Sequence, residues 1–216
     1  MKAQSNGPAL AGETMATNSP SSIIRRAWLR IATYFALLGA KRRSAQRVRQ
    51  LGCERVLVLC YGNIYRSPLV AAYISQALEP TGRSVVRSAG FHPRVERPTP
   101  DDFVALARDR AGLDLGRHRS RLVSEEDFEW ADAVLIMDRH NWHAIANSSA
   151  GANALSRVVW LGALADSGPV EIIDPYGTSF DVKSEIIDQL IQCADEFCRS
   201  VRAREAAGLE VKGKTP

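Results

Sequence analysis

A cysteine and an arginine six positions apart frame the chemistry this chain can do: Cys60-Tyr61-Gly62-Asn63-Ile64-Tyr65-Arg66-Ser67-Pro68. An ionised cysteine is a strong nucleophile. The planar fork of arginine grips two oxygens of a phosphate at once. Gly62 and Asn63 supply turn chemistry. The preceding Val56-Leu57-Val58-Leu59 is apolar and branched and reads as a buried strand. Ser67 reads as a helix N-cap, with Pro68 at the first helical position. A strand–loop–helix of this form turns successive backbone N–H groups inward, and the helix N-terminus adds partial positive charge. Tyr61, Gly62, Asn63, Ile64, Tyr65, Arg66 and Ser67 are therefore expected to cradle a tetrahedral oxyanion above Cys60. Positive potential there suits an anionic sulfur, and the Ser67 hydroxyl can donate to it as it leaves. The chemistry implied is in-line attack on phosphorus, giving a cysteinyl-phosphate. A cysteine followed by an arginine at this distance arises by chance in many chains. The added Gly-Asn and Ser-Pro at a strand–helix junction make this one specific.

Such residues need a scaffold, and the chain alternates strand and helix patterns to provide it. After the first strand (54–60) and a helix from 67 to about 78 comes a strand over 84–89. A helix runs from about 99 to 111, with Gly112 as its stop. Ser124-Glu125-Glu126-Asp127 has the form of a capping box. Strands over 132–137 and 157–161 follow, with a helix beginning at 139 between them. A last helix over about 182–206 carries Ile186, Ile187, Leu190, Ile191, Ala194, Phe197 and Cys198 roughly on one face. Repeated strand–helix units mean a parallel sheet with helices on both faces, which binds ligands beyond the carboxyl ends of its strands. Cys60 falls at such an end. Phosphoryl transfer also expels an alkoxide or phenoxide that needs a proton. Asp174-Pro175-Tyr176-Gly177 is a polar turn before the last helix, although an Asp-Pro turn is common anywhere.

Residues 54–68 resemble the phosphate loop of the low-molecular-weight protein tyrosine phosphatases. Ser88-Ala89-Gly90, Pro100-Asp101, Gly112-Leu113-Asp114-Leu115, His118-Arg119-Ser120-Arg121, Asp127-Phe128, Ala131-Asp132, Met137-Asp138 and Asp174-Pro175-Tyr176 follow in that family's order, so the resemblance spans about 53–205. It implies four strands in the order 2-1-3-4. It implies Cys60 as nucleophile, Arg66 as phosphate ligand and Asp174 as general acid, then base. Tyr176 resembles the aromatic wall beside the substrate, with Tyr61 and Arg94 lining the same rim. Asn63 is expected to hold the loop shape, with Ser67, Ser88 and His118 as supports. Asp138 and His140 read as strand-end polar residues. No metal and no cofactor are implied. The partner implied is a phosphotyrosine protein, by analogy a bacterial tyrosine kinase or exopolysaccharide machinery.

Three departures matter. Many relatives carry a second cysteine just before the arginine; here Tyr65 stands there, which removes one route of redox protection for Cys60. Arg94 and Arg97 stand near a rim position that is apolar in many relatives, so acidic phosphopeptides are expected to be favoured. Ile64 replaces the threonine of related protein-arginine phosphatases, and a branched apolar side chain suits a phenyl ring. Phosphotyrosine is thus the expected substrate, with phosphoarginine, or phosphate binding without catalysis, as alternatives. Arsenate reduction needs further cysteines near the loop, and none lies between Cys60 and Cys193.

The 216 residues carry a net charge of +4, no argument for nucleic acid. The four cysteines form no disulfide scaffold. Cys53 and Cys60 bracket one strand about 20 Å long, and Cys193 and Cys198 lie on one helix. Their usage fits a reducing cytoplasm. Residues 1–21 read as a disordered tail and 208–216 as a flexible one, around a phosphatase domain over 53–207. Residues 22–50 read as a basic amphipathic helix: eight Lys/Arg accompany its apolar residues, and no acid occurs between Glu13 and Glu54. Its apolar stretch from Ala27 to Ala40 spans about 21 Å, short of a bilayer core of roughly 30 Å. Two readings stay open. It lies on an anionic membrane surface, making the protein peripheral at the inner membrane face, or it packs on its own domain or a partner.

Overall fold

A computed structural model describes residues 37–79 and 84–207, together with Ile31, Phe35 and Gly82. The expected tails at 1–21 and 208–216, and most of 22–36, lie outside the described residues. Four strands form one parallel sheet in the order β2-β1-β3-β4: β1 (Arg55–Cys60), β2 (Val85–Gly90), β3 (Ala133–Ile136) and β4 (Val158–Trp160). The central strand β1 is buried from Val56 through Cys60, as a strand covered on both faces must be. Its side chains alternate between the two cores: Val56, Val58 and Cys60 enter one, Leu57 and Leu59 the other.

On the first face lie α2 (Arg66–Leu78), α3 (Asp101–Ala111) and the long α7 (Phe180–Ala206), contributing Leu69, Ile74, Phe103, Ile187, Leu190 and Phe197. On the second lie α4 (Glu125–Trp130), α5 (Arg139–Asn147) and α6 (Ser149–Ala154), contributing Phe128, Ile145 and Ala154. Gly112 ends α3 at φ 66°, and Ser124 with Asp127 closes a capping box on α4, both as the sequence requires. Three boundaries differ from expectation. The strand at β4 is shorter, because Leu155–Arg157 and Leu161–Ala163 are 3-10 turns. Helix α7 starts two residues early, where Ser179 accepts from the Val182 N–H. Helix α6 has no separate counterpart among the elements expected from sequence; Ser148 caps it.

The basic segment is not one continuous helix to residue 50. Gly39 sits between helical Leu38 and α1 (Ala40–Gln50) with φ −114° and ψ 14°. Helix α1 packs on its own domain, covering the free edge of β4. Its buried Ser44 hydroxyl accepts from Trp160 N at 3.1 Å, and the Arg47 guanidinium donates to the Val158 carbonyl. Arg204 of α7 donates to the Leu51 carbonyl just past the end of α1. Side chains thus satisfy an edge that would otherwise offer unpaired backbone groups. The apolar face of residues 40–50 is used up here, whereas Ile31, Phe35 and Leu38 remain exposed. Among the described residues no helix is long and apolar enough to cross a membrane.

Candidate active site

The loop over residues 61–65 joins β1 to α2 at the carboxyl end of the sheet. Cys60, 2% exposed, faces into it: Sγ lies 3.0 Å from Ser67 Oγ, and the Asn63 N–H donates to it over 3.2 Å. The loop's shape follows from where its carbonyls are tied. Tyr61 O accepts from Phe91 N at 2.9 Å and His92 N at 3.0 Å. Gly62 O accepts from Arg97 Nη2 at 2.6 Å, and Asn63 O from His118 Nε2 at 2.7 Å. In a trans peptide the N–H points opposite to its carbonyl. Donors behind the loop therefore turn the N–H groups of Gly62, Asn63 and Ile64 toward the cysteine, and the Asn63 contact to Sγ verifies the direction. Gly90, at the end of β2, must be glycine for the same reason: a Cβ there would lie 2.7 Å from Tyr61 O.

Asn63 is fully buried and holds a left-handed backbone at φ 51°. Its amide oxygen accepts from Arg121 N at 2.9 Å, and its Nδ2 donates to Ser67 Oγ at 2.9 Å and Ser88 Oγ at 3.1 Å. Ser67, Ser88 and His118 thus all contact Asn63. Arg121 is in turn held by Asp127 through two bonds of 2.7 and 2.9 Å. Burial pushes the Asp127 carboxyl up, but hydrogen bonds from Arg121 and Ser124 outweigh it and hold it below its ordinary value. Burial lowers the His118 pKa, so the ring stays neutral and donates through Nε2–H to a carbonyl that can only accept.

One expectation fails. Ser67 is not the N-cap: α2 begins at Arg66, its N-cap Tyr65 makes no side-chain cap, and Pro68 lies inside the first turn. The Ser67 hydroxyl is engaged by Cys60 and Asn63 instead, which leaves the first N–H groups of the helix for a ligand.

Arg66 is 1% exposed, and burial opposes its charge. The charges of Cys60, Asp174 and Asp138 outweigh that and raise its pKa, so it remains a cation. Nη1 donates to Asp138 Oδ2 at 2.6 Å and to the Ile172 carbonyl at 2.9 Å; Nη2 donates to Asp174 Oδ2 at 2.5 Å. Its buried Nε has no partner among the described residues, a costly state for a donor unless an anion takes it. Asp174, with a side chain 40% exposed, stands at the mouth on the Asp-Pro turn. Its other oxygen accepts from Tyr176 N at 3.2 Å.

Cys60, Tyr61, Gly62, Ile64, Tyr65, Arg94, Asp174 and Tyr176 line one cleft of about 460 Å³, with His92 and Arg97. Tyr61 and Tyr176 are exposed at its rim, and Tyr61 meets His92 edge-on at 5.4 Å. Tyr65 is only 6% exposed and packs edge-on to Phe103 at 5.0 Å. The sequence-expected residues therefore converge. Those missed are Asp138, His92 and the anchoring role of Arg97. Asp138 also caps α5 by accepting from Asn141 N at 2.9 Å, which is the strand-end role its sequence position implies. Only the placement of β3 beside β1 reveals that its second oxygen faces Arg66. His140 is exposed and not among the cleft residues. Burial raises the other thiols, Cys53 and Cys198 to about 12 and Cys193 to about 11. The assembled site can hold a tetrahedral oxyanion over a sulfur, with a carboxyl group beside it.

The family model for low molecular weight phosphotyrosine protein phosphatases matches residues 55–207. The chain is 29% identical over 149 residues to a protein-arginine-phosphatase of Bacillus subtilis, covering 68% of this chain and 96% of that protein. It is 28% identical over 151 residues to the probable low molecular weight protein-tyrosine-phosphatase EpsP of Ralstonia nicotianae, covering 69% and 97%. Among solved structures, the YwlE arginine phosphatase, as a cysteine-to-serine mutant with a phosphorylated active-site serine, superposes with a TM-score of 0.60 at 25% identity, covering 68% of this chain and 95% of that one.

Proposed function

Since the chain belongs to the low molecular weight phosphotyrosine protein phosphatase family, it is a cysteine-based hydrolase of phosphorylated residues, and we propose that it prefers phosphotyrosine in proteins. In this reading the phosphate enters the cup of amides, and Arg66 turns from Asp174 to the equatorial oxygens while Asp138 keeps hold of Nη1. The Cys60 thiolate attacks phosphorus in line; the S–P bond forms as the P–O bond to the phenol breaks. Asp174, released from Arg66 beside the incoming dianion, carries the proton that goes to the phenolate oxygen. Water then attacks the cysteinyl-phosphate, gives its proton to the Asp174 carboxylate, and displaces the sulfur as orthophosphate forms. Ser67 donates to the departing thiolate. The relative captured with a phosphorylated serine in place of its cysteine supports the covalent step.

The observation that carries the tyrosine preference is the cleft lining. Tyr61, Ile64, Tyr65 and Tyr176 offer flat or apolar walls, Arg94 and Arg97 stand nearby, and Asp174 is the one carboxylate among the described residues that line it. A phenyl ring fits such walls, whereas a phosphoguanidinium would meet cations and no second acid. The second reading, phosphoarginine, is favoured by the likeness to the Bacillus subtilis arginine phosphatase. Parallel kcat/KM measurements on phosphotyrosine and phosphoarginine peptides of identical flanks decide between them. A ratio above about ten for tyrosine is expected, and a higher value for arginine overturns the preference.

The proposal places the enzyme in the cytoplasm, where four free thiols persist. It also retains an anionic membrane surface as a contact for the N-terminal segment. Exposed Ile31, Phe35 and Leu38 precede exposed Lys41, Arg42 and Arg49, which supports it. Co-sedimentation of the full chain with phosphatidylglycerol vesicles, absent with phosphatidylcholine, is the expected result. Equal recovery with both vesicles, or with neither, removes the membrane from the proposal.

A further inference from the structure

Two arginines three residues apart reach the same cleft but are held in opposite ways. Arg97 is half-buried and clamped along its length. Its backbone N–H donates to Ser120 Oγ at 3.0 Å, and its carbonyl accepts from Ser120 N at 2.9 Å. The preceding Glu96 donates to the Ser120 carbonyl at 2.7 Å while holding φ 58°, a left-handed conformation unfavourable for a glutamate. The guanidinium is committed as well, through Nη2 to the Gly62 carbonyl at 2.6 Å and Nε to the Arg94 carbonyl at 3.0 Å. Arg94 has its backbone pinned on both sides, by that bond and by donation to His92 Nδ1 at 3.0 Å. Its side chain is exposed, and its guanidinium makes no ion pair among the described residues.

We propose that these two residues divide the work of the rim. Arg97 is a positioning residue: it holds the Gly62 carbonyl out and so aims the Asn63 N–H at the sulfur and the bound oxyanion. Arg94 is the specificity residue, meeting a carboxylate beside the phosphorylated side chain of the substrate. The backbone strain at Glu96 is retained because it brings Arg97 onto the loop. The proposal deepens the phosphatase reading and rests on it. It also revises the expectation that both arginines face an acidic peptide.

The test compares wild type, Arg97→Ala, Arg97→Lys and Arg94→Ala. Orthophosphate affinity is read by calorimetry. Turnover is read on two phosphotyrosine peptides, one flanked by Asp and Glu and one by Ser and Ala. In Arg97→Ala, orthophosphate should bind about tenfold more weakly, because a charge-assisted anchor of the loop is lost. Both peptides should then slow together, their ratio staying at the wild-type value. Arg97→Lys, which keeps a cationic donor, should recover part of that loss at unchanged melting temperature. In Arg94→Ala, the acidic-to-neutral ratio should fall about threefold toward one, and the wild-type ratio should decay with added salt. An unchanged ratio in Arg94→Ala overturns the specificity half. Wild-type orthophosphate affinity in Arg97→Ala, or a slowing confined to the acidic peptide, overturns the positioning half. Calorimetry needs no turnover, so a wild type that hydrolyses neither peptide would sink the phosphatase reading while still testing Arg97.

Discussion

The loop after β1 and the free edge of β4 both have backbone groups satisfied by side chains from distant segments, but with different outcomes. At the edge, a carbonyl and an N–H are both paired: Arg47 donates to Val158 O, and Ser44 accepts from Trp160 N. At the loop, donors from the segment after β2 and from His118 engage three carbonyls, while the matching N–H groups turn the other way, toward Cys60. Two-sided pairing closes a surface. One-sided pairing fixes the peptide planes and leaves a row of donors for a ligand. The lesson is that rigidity at the loop comes from what lies behind it, so its binding face can stay open.

Breaking the loop should change turnover, and breaking the edge should change stability. The largest effect is expected for Cys60→Ser, with kcat lowered at least about a thousandfold and orthophosphate still bound through Arg66. Retained turnover in a steady-state assay would remove the cysteine from the chemistry. Asp174→Ala should lower kcat by about a hundredfold or more and let a phosphocysteine accumulate, visible as an added phosphate by mass spectrometry of the quenched protein. Arg47→Ala at the edge should cost about 1–3 kcal/mol in urea unfolding, because it leaves a buried carbonyl unpaired, with kcat unchanged. A kcat loss there without a stability loss would erase the contrast.

A pH series sharpens the comparison. His118 has a folded pKa below its unfolded value of 6.5, so below about pH 6.5 the unfolded chain binds the extra proton first. Its contribution to stability is full above that pH, falls as pH drops toward the folded pKa, and is gone below both values. His118→Gln, which keeps a donor for the Asn63 carbonyl, should flatten that part of the unfolding-midpoint profile. The smallest effect is expected for Glu96→Gly. Relief of the left-handed backbone should raise stability by up to about 1 kcal/mol by urea titration.

Most of the scaffold was legible because period and punctuation agree. Val56-Leu57-Val58-Leu59 reads as a two-faced strand, and Gly112 and Ser124 mark helix ends by their own chemistry. The reactive loop was legible for a similar reason: its residues are adjacent in the chain. What could not be read depends on residues far apart in sequence. Asp138 meets Arg66 only because β3 lies beside β1. Arg97 looks like one more surface arginine until its contact with Gly62 is known. Ser67 was misplaced because an N-cap and a ligand for buried sulfur favour the same small hydroxyl. Residues 22–50 kept two readings open, since amphipathicity does not say which apolar surface it matches.

Arg66, held between Asp138 and Asp174, has a consequence for the end of each cycle. Orthophosphate leaves slowly from a site that grips it too well, and a guanidinium buried in a low-dielectric pocket would grip it strongly. In the proposed cycle the half-exposed carboxylate of Asp174 returns to Nη2 as the product loosens, while the less exposed Asp138 stays on Nη1. On that proposal the site carries its own internal rival for the arginine, one that yields to an arriving dianion and helps to evict the spent one.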